Sequence, residues 1–298
     1  MADVTNIRQA ETAVKVMGVL AEKNLKIEKN KDNVDQITGY LTIKTSDVNF
    51  VRFNVNCASK KKDGGDNSMY PGFLTIMNEY KAIADTGVGE ENADKIYVDT
   101  TSSKTKDSIN LYRSKQSGKT VVSFKSSYFN RVKPDMEYVP TAEFEIETYI
   151  KAIVPEVDKE GVETGRILVH GWVPTYSGIE QITLAADEET GAAIQDTFAV
   201  GQTVRFYGDI INNRIETVKT IPVAIGKPRT EVHVEYKNDF VINGASEAYE
   251  EGVSPIPPYT KEAIDRAIQE RDNREKEQAA QANTTRPSAA SKGRTLGF

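Results

Sequence analysis

The chain has one cysteine, Cys57, two histidines, His170 and His233, and one tryptophan, Trp172. A single cysteine excludes an internal disulfide and a cysteine-rich metal site. With only two histidines, no metal cluster and no Cys/His or Ser/His/Asp set can be assembled, so no cofactor and no catalytic activity are expected. Both histidines fall in strand-like patterns, where a structural role is expected, and Cys57 alternates with Val51, Phe53 and Val55 as a small core residue. No apolar run approaches the ~20 residues that cross a bilayer. The opening MADVTNIRQAETAV lacks a basic leader followed by an apolar core, so a cytoplasmic protein without a membrane partner is expected. The tempting Ser117-Gly118-Lys119-Thr120 lacks what a phosphate-binding loop needs: Arg113 stands where the first glycine belongs, and a strand pattern follows instead of a helix. The acidic clusters at 156–163 and 187–189 read as solvated turns.

What is present is strand periodicity and unevenly divided charge. The net charge of −6 hides a basic half. Residues 1–133 carry 21 Lys/Arg against 16 Asp/Glu, whereas residues 134–298 carry 17 against 28. The excess concentrates between Thr100 and Lys133, where eight cations (Lys104, Lys106, Arg113, Lys115, Lys119, Lys125, Arg131 and Lys133) meet one acid, Asp107. Tyr112, Phe124, Tyr128 and Phe129 are interleaved with them. Cations beside aromatics suit a polyanion with unstacked bases, because charges track phosphates while rings offer a flat surface to bases. Single-stranded nucleic acid is the ligand this suggests. Nothing in the sequence separates DNA from RNA.

Alternation marks the strands. Val14, Val16, Gly18 and Leu20 share a face of the first; Ile37, Gly39, Leu41 and Ile43 share a face of the second; Val51, Phe53, Val55 and Cys57 share a face of the third. The opposite parity of the second and third puts Tyr40, Lys44, Phe50 and Arg52 on one outer face. Phe73, Ile76, Met77, Tyr80 and Ile83 have helical spacing, with Pro71 ahead and Gly87 as the stop. Two more strands and a hairpin turning at Ser117-Gly118 follow. Three strands, a helix, then two strands with a long hairpin is the order of the OB-fold, a five-stranded Greek-key barrel. From Asp135 the pattern restarts, with Phe144, Ile146, Thr148 and Ile150, then Ile167, Val169, Gly171 and Val173, and a last pair in which one strand is entered through Gly201 and left through Gly208. Gly171-Trp172 repeats Gly39-Tyr40, and residues 188–197 stand where the helix belongs, so a degenerate duplication is read.

The fold class is therefore mainly β with minor α: two OB-fold-like Greek-key β-barrels, then a C-terminal helix and a disordered tail. The expected divisions are 1–133 (basic, nucleic-acid binding), 134–248 (acidic) and 249–298 (helix and tail). The helix, with Ile264 and Ile268 isolated among charges, is expected to be mostly solvated.

The GYLTIKT and FVRFNVNC hairpin, the helix FLTIMNEYKAIAD, the strand ADKIYVDTT and the hairpin ending VVSFKSSYFNRV give residues 14–133 a resemblance to the single-stranded-DNA-binding protein family, with a looser echo to about 244. The two-barrel length and odd tail look more like phage-encoded members. The resemblance implies sequence-tolerant ssDNA binding in replication or recombination, through Tyr40, Phe50, Arg52, Tyr112, Arg113, Lys115 and Lys119. The residues themselves add Lys44, Lys60, Lys61, Lys62 and Lys125 as cations, and Trp172 as a second-domain or interdomain contact. Bacterial members end in an acidic tail with a Pro-Phe tip, whereas this tail is basic and ends Leu296-Gly297-Phe298. Leu296 and Phe298 suit docking to replication proteins; Arg286, Lys292 and Arg294 suit added phosphate contacts. The alternative reading is a virion assembly protein using a β-barrel as an interaction module.

Overall fold

The computed structural model describes residues 7–114, 117–221 and 229–284. The predicted site residues Lys115, Leu296 and Phe298 lie outside them. β1 (Thr12–Lys29), β2 (Asp35–Lys44) and β3 (Phe50–Ala58) form an antiparallel meander. Their period-2 pattern buries Val14, Val16, Leu20, Ile37, Leu41, Ile43, Val51, Phe53 and Cys57 on the inner side. α1 (Tyr70–Glu79), the single-turn α2 (Gly89–Asn92), β4 (Lys95–Asp99), β5 (Ile109–Arg113), β6 (Thr120–Lys125) and β7 (Asn130–Arg131) follow. The ring closes where β6 lies parallel to β3, with Phe53 opposite Phe124, and where β4 pairs with β1.

α1 stops at Glu79 instead of running to Gly87. β1 bulges between Leu20 and Glu22, and the carbonyls of Leu20 and Ala21 accept the N–H groups of Ile83 (2.9 Å) and Ala84 (3.0 Å), which are thereby unavailable for further helix. Between β4 and β5 the strand is broken. The break is held by buried polar groups: Thr12 Oγ1 accepts from the N–H groups of Ser108 and Ile109 (both 3.0 Å), and Ser108 Oγ donates to Thr100 Oγ1 (2.8 Å).

The second barrel repeats the scheme with β8 (Thr141–Val157), β9 (Glu163–Thr175), β10 (Gly178–Ala186), α3 (Glu188–Thr197), β11 (Thr203–Ile221) and β12 (Arg229–Ala245). Its pairings run β8–β9–β10–β12–β11 and back to β8, with a parallel closing contact at Ala185 and Val241. Both rings are therefore OB-fold Greek-key barrels by strand pairing. The acids at 187–189 are not loop residues. Asp187 caps α3 by accepting from the Thr190 N–H (2.8 Å), and Glu188 and Glu189 sit in the first turn, where the helix dipole favours negative charge. Gly208 does not end its strand; β11 runs on for thirteen residues past a bulge between Tyr207 and Gly208, and a Cβ there would meet the Val241 carbonyl at 1.9 Å. Gly39 and Gly171 hold equivalent places on the second strand of each barrel. A Cβ at Gly39 (φ +135°) would lie 1.9 Å from the Asn24 carbonyl oxygen, and one at Gly171 would lie 1.9 Å from Thr148 Cγ2. Both rings bring the first strand close enough at this point to exclude any side chain.

The barrels share one sheet and one core. Thr12–Met17 of β1 pairs antiparallel with Thr141–Ile146 of β8. Across the junction Phe124 packs on Phe240 (6.1 Å), which is edge-on to Phe144 (5.0 Å), while Phe124 also meets Phe53 (5.9 Å). Phe124 and Phe129 of the basic stretch are thus core residues, and Phe124 shows only its edge at the floor of the groove between the barrels. Beside the junction lies Glu147, fully buried on β8, whose carboxylate takes a bidentate contact from Arg8 (2.7 Å to Oε2) and the Glu11 N–H (2.9 Å). Arg205 pairs with Glu11, and Arg8 lies over the Tyr259 ring at 4.6 Å. The N-terminal segment, the second barrel and the segment before α4 (Lys261–Thr284) are clasped at this carboxylate. Replacing it leaves the half-buried Arg8 guanidinium without its partner, so Glu147→Ala should lose about 3 kcal/mol of unfolding free energy, read as a lower urea midpoint with an unchanged far-ultraviolet spectrum.

Candidate nucleic-acid interface

Part of the outer face of β2 and β3, from Thr42 and Lys44 to Phe50, Arg52 and Asn54, is turned towards the second barrel. It forms one wall of a cleft of about 1840 Å³ between the barrels. Lys44, Phe50 and Arg52 line this wall, and Tyr112 and Arg113 come from the β5–β6 hairpin. The opposite wall is Arg166 and Trp172 of β9, Glu180 of β10, Arg214 of β11, Tyr236 and Lys237 of β12, and Arg271 of α4. Six predicted residues, Lys44, Phe50, Arg52, Tyr112, Arg113 and Trp172, are therefore brought together from both barrels.

The others are not. Tyr40 shares the outer face but lies under the Arg52 guanidinium, 4.1 Å from its ring centroid, and does not line the cleft. Lys60, Lys61 and Lys62 sit on an exposed loop away from it, with Lys60 bonded to Asp66 (2.7 Å). Lys125 is bonded to Asp107 (2.6 Å), the single acid of the basic stretch. Lys119 is exposed at the hairpin beside Gly118 (φ +65°), and the strand β6 follows it.

Most cleft cations carry an intramolecular acid. Lys44 bonds Glu90 (2.7 Å), which holds its ammonium above the ordinary lysine range, and also meets Asp47 (3.3 Å). Arg52 meets Glu22 (3.2 Å), Arg113 meets Glu275 of α4 (3.2 Å), Arg214 meets Glu216 (2.5 Å), and Arg166 meets Glu156 (3.4 Å) and Asp239. The groove is a lattice of oriented guanidinium groups rather than an open positive field. Trp172 lies between Lys151 (5.0 Å) and Arg271 (5.1 Å), each over its ring.

Position by position, the sequence pattern missed the far wall, because the acidic total of the second half conceals Arg166, Arg214, Lys237 and Arg271. The usable signal was strand parity: Arg166 and Trp172 alternate against the buried Ile167, Val169 and Val173. α4 also departs from a solvated helix. Ile264 and Ala267 are buried, Arg271 is mostly covered, and Arg274 donates to the Ser177 carbonyl (2.6 Å).

Glu180 is the buried acid of the cleft. Burial raises its carboxyl above the ordinary range, opposed by Arg271 and Arg113, and Thr120 Oγ1 reaches it across the barrels at 3.4 Å. A carboxyl with a raised folded-state pKa costs stability as pH rises through the interval between its unfolded and folded values. Glu180→Gln should therefore raise the melting temperature at neutral pH, with the gain shrinking as pH falls towards the ordinary glutamate value; a thermal series against pH checks both the sign and the trend.

The structure is similar to the wild-type single-stranded DNA binding protein from Thermus aquaticus, with TM-score 0.45 and 8% identity over 84% of this chain and 98% of that one. It is also similar to a deletion mutant of that protein, with TM-score 0.43 and 8% identity over 84% and 100%. Likenesses this distant carry no weight for function, and the barrel assignment rests on the strand pairings. No curated protein matched by sequence. Residues 11–283 match the sequence model of the YorF family. That span runs from the residue before β1 almost to the end of α4, and the chain belongs to the YorF family.

Proposed function

We propose that this protein binds single-stranded DNA without sequence preference, in the interbarrel cleft. The observation that carries the reading is the convergence of Phe50, Tyr112 and Trp172 with Arg52, Arg113 and Arg271 in one groove, contributed by both barrels and by α4. Phe50 and Tyr112 supply stacking surfaces that tolerate any base, Trp172 holds Arg271 and Lys151 over its ring, and guanidinium groups supply phosphate contacts. The groove also suits a flexible strand better than a duplex, whose bases are stacked away from any ring. The proposed setting is phage DNA replication or recombination in the host cytoplasm, supported by the resemblance of the two-barrel form to phage-encoded members of the single-stranded-DNA-binding family. We propose a binding role and no catalytic one. The assembly-protein alternative is not favoured, since the aromatic and basic side chains line a groove rather than a protruding contact face.

Titration of labelled dT, rU and duplex oligonucleotides over a range of salt tests the reading and separates DNA from RNA. Because most of the cleft cations are already paired, roughly two to four phosphates should be neutralised, giving a slope of log K on log salt of about −1.5 to −3 at ~0.7 per phosphate. A flat salt response, or duplex bound as tightly as dT, would remove the proposal. Phe50→Ala and Tyr112→Ala should each weaken dT binding by about 1–3 kcal/mol where a base stacks. Neither should change the melting temperature much, since both rings are partly exposed. Tyr40→Ala should act more weakly, through the orientation of Arg52.

A further inference from the structure

β11 and β12 continue well beyond the second barrel as a two-stranded ribbon. β11 pairs with β8 only through Asp209, and β12 meets β10 only at Val241, so from Ile215 and Glu235 outward each strand has only the other as a ladder partner among the described residues. The base of β11 is braced from the first barrel: the Arg214 N–H donates to the Val48 carbonyl (2.8 Å), and Asn49 pairs with Asn213. The outer edge of β12 has no such brace from Arg229 to Glu235, and Tyr236 and Lys237 continue it along the cleft. A two-stranded ribbon is marginal by itself, and an open edge invites another strand.

The side chains on that edge identify the strand that fits. Along β12, alternation puts Glu231, His233, Glu235 and Lys237 on one face and Val232, Val234 and Tyr236 on the other. Val232 is 56% exposed and Tyr236 66%. If the edge pairs antiparallel with its own copy about a two-fold axis through Val234, Glu231 falls opposite Lys237 and His233 opposite Glu235, each pair occurring twice. On the other face Val232 falls opposite Tyr236, and Val234 meets itself. Moving the axis one residue towards His233 sets Glu231 against Glu235 and Arg229 against Lys237; moving it to Glu235 sets Glu231 against Asp239. Like charges directly opposite one another are destabilising. Axes two residues away restore opposite charges but overlap over a shorter length, so Val234 is the register with the longest complementary overlap. The outermost pair is left out, because Asp239 is held by Arg166.

We propose that the free edge of β12 is a homodimer interface, in which two copies of this chain join their ribbons into a continuous four-stranded sheet with an ionic face and an apolar face. This is the closed, isologous arrangement of a two-fold interface. Its inner end, Tyr236 and Lys237, also lines the cleft, so the dimer edge and the proposed nucleic-acid groove share that end of β12. The competing account, that charges on the edge merely keep it soluble, assigns no register.

Charge exchange in the full chain separates the two. Sedimentation velocity and light scattering should give wild-type protein a concentration-dependent mass approaching twice 33.0 kDa. Glu231→Lys sets lysine against Lys237 at both symmetric positions, and Lys237→Glu sets glutamate against Glu231. Each should weaken dimerisation about tenfold or more, with an unchanged urea midpoint. The double variant Glu231→Lys/Lys237→Glu should restore the dimer. Wild-type protein that stays monomeric to about 100 µM, single variants that dimerise like wild type, or a folded double variant that does not recover would each overturn the proposal.

Discussion

The antiparallel pairing of β1 with β8 is the contact on which the rest of this molecule depends. It merges two barrels into one sheet and leaves a continuous core through Phe53, Phe124, Phe240 and Phe144. Flexible linkage would allow two barrels to swing apart, as domains joined by small polar interfaces commonly do. Here β1 supplies hydrogen bonds to β2, β4 and β8 along successive parts of its length, so turning one barrel against the other would break ladder and core together. The buried Glu147 clasp reinforces the same junction. With the barrels held, the outer face of β2 and β3 confronts the strands of the second barrel, and the cleft is a fixed consequence.

Charge in the cleft follows a different rule from charge in the sequence. A run of eight cations with one acid suggests a strong open field, yet Lys125 finds Asp107, Arg131 finds Asp94 (3.0 Å), Lys106 finds Glu145 (3.8 Å) and Arg113 finds Glu275. Several of these acids come from distant parts of the chain. Pairing lowers the long-range attraction that steers a polyanion and fixes the orientation of the guanidinium groups that remain at the wall. In the proposed function, recognition depends on rings and oriented donors more than on net charge, in keeping with a protein of net charge −6.

The two barrels differ plainly in their last hairpin. In the first, β5 and β6 are short and turn at Gly118 beside the cleft; in the second, β11 and β12 grow into a ribbon that passes the cleft at Arg214 and Tyr236 and continues outward. The ring of strands is constrained by the shared core. The hairpin joining the last two strands is not, so length and surface chemistry can change there without disturbing the barrel.

The strand alternation determined, by itself, the inner faces of both barrels and the burial of Cys57, because side-chain parity is a local property, and the repeated order of strands marked the place of α3 and the equivalence of Gly39 and Gly171. Parity also put Tyr40, Lys44, Phe50 and Arg52 on one face. It could not say what that face meets. Only the tertiary structure decided that α1 yields at Glu79 to the carbonyls of the β1 bulge, that Gly208 is a bulge rather than an end, and that α4 is docked through Arg271 and Arg274. It also decided that Arg52 covers Tyr40, that Lys44 is spent on Glu90, and that an acidic second half contributes the far wall of a basic, aromatic groove. Each of these depends on partners far apart in sequence, and a periodicity, which reads one strand at a time, carries no information about which distant strand will face it.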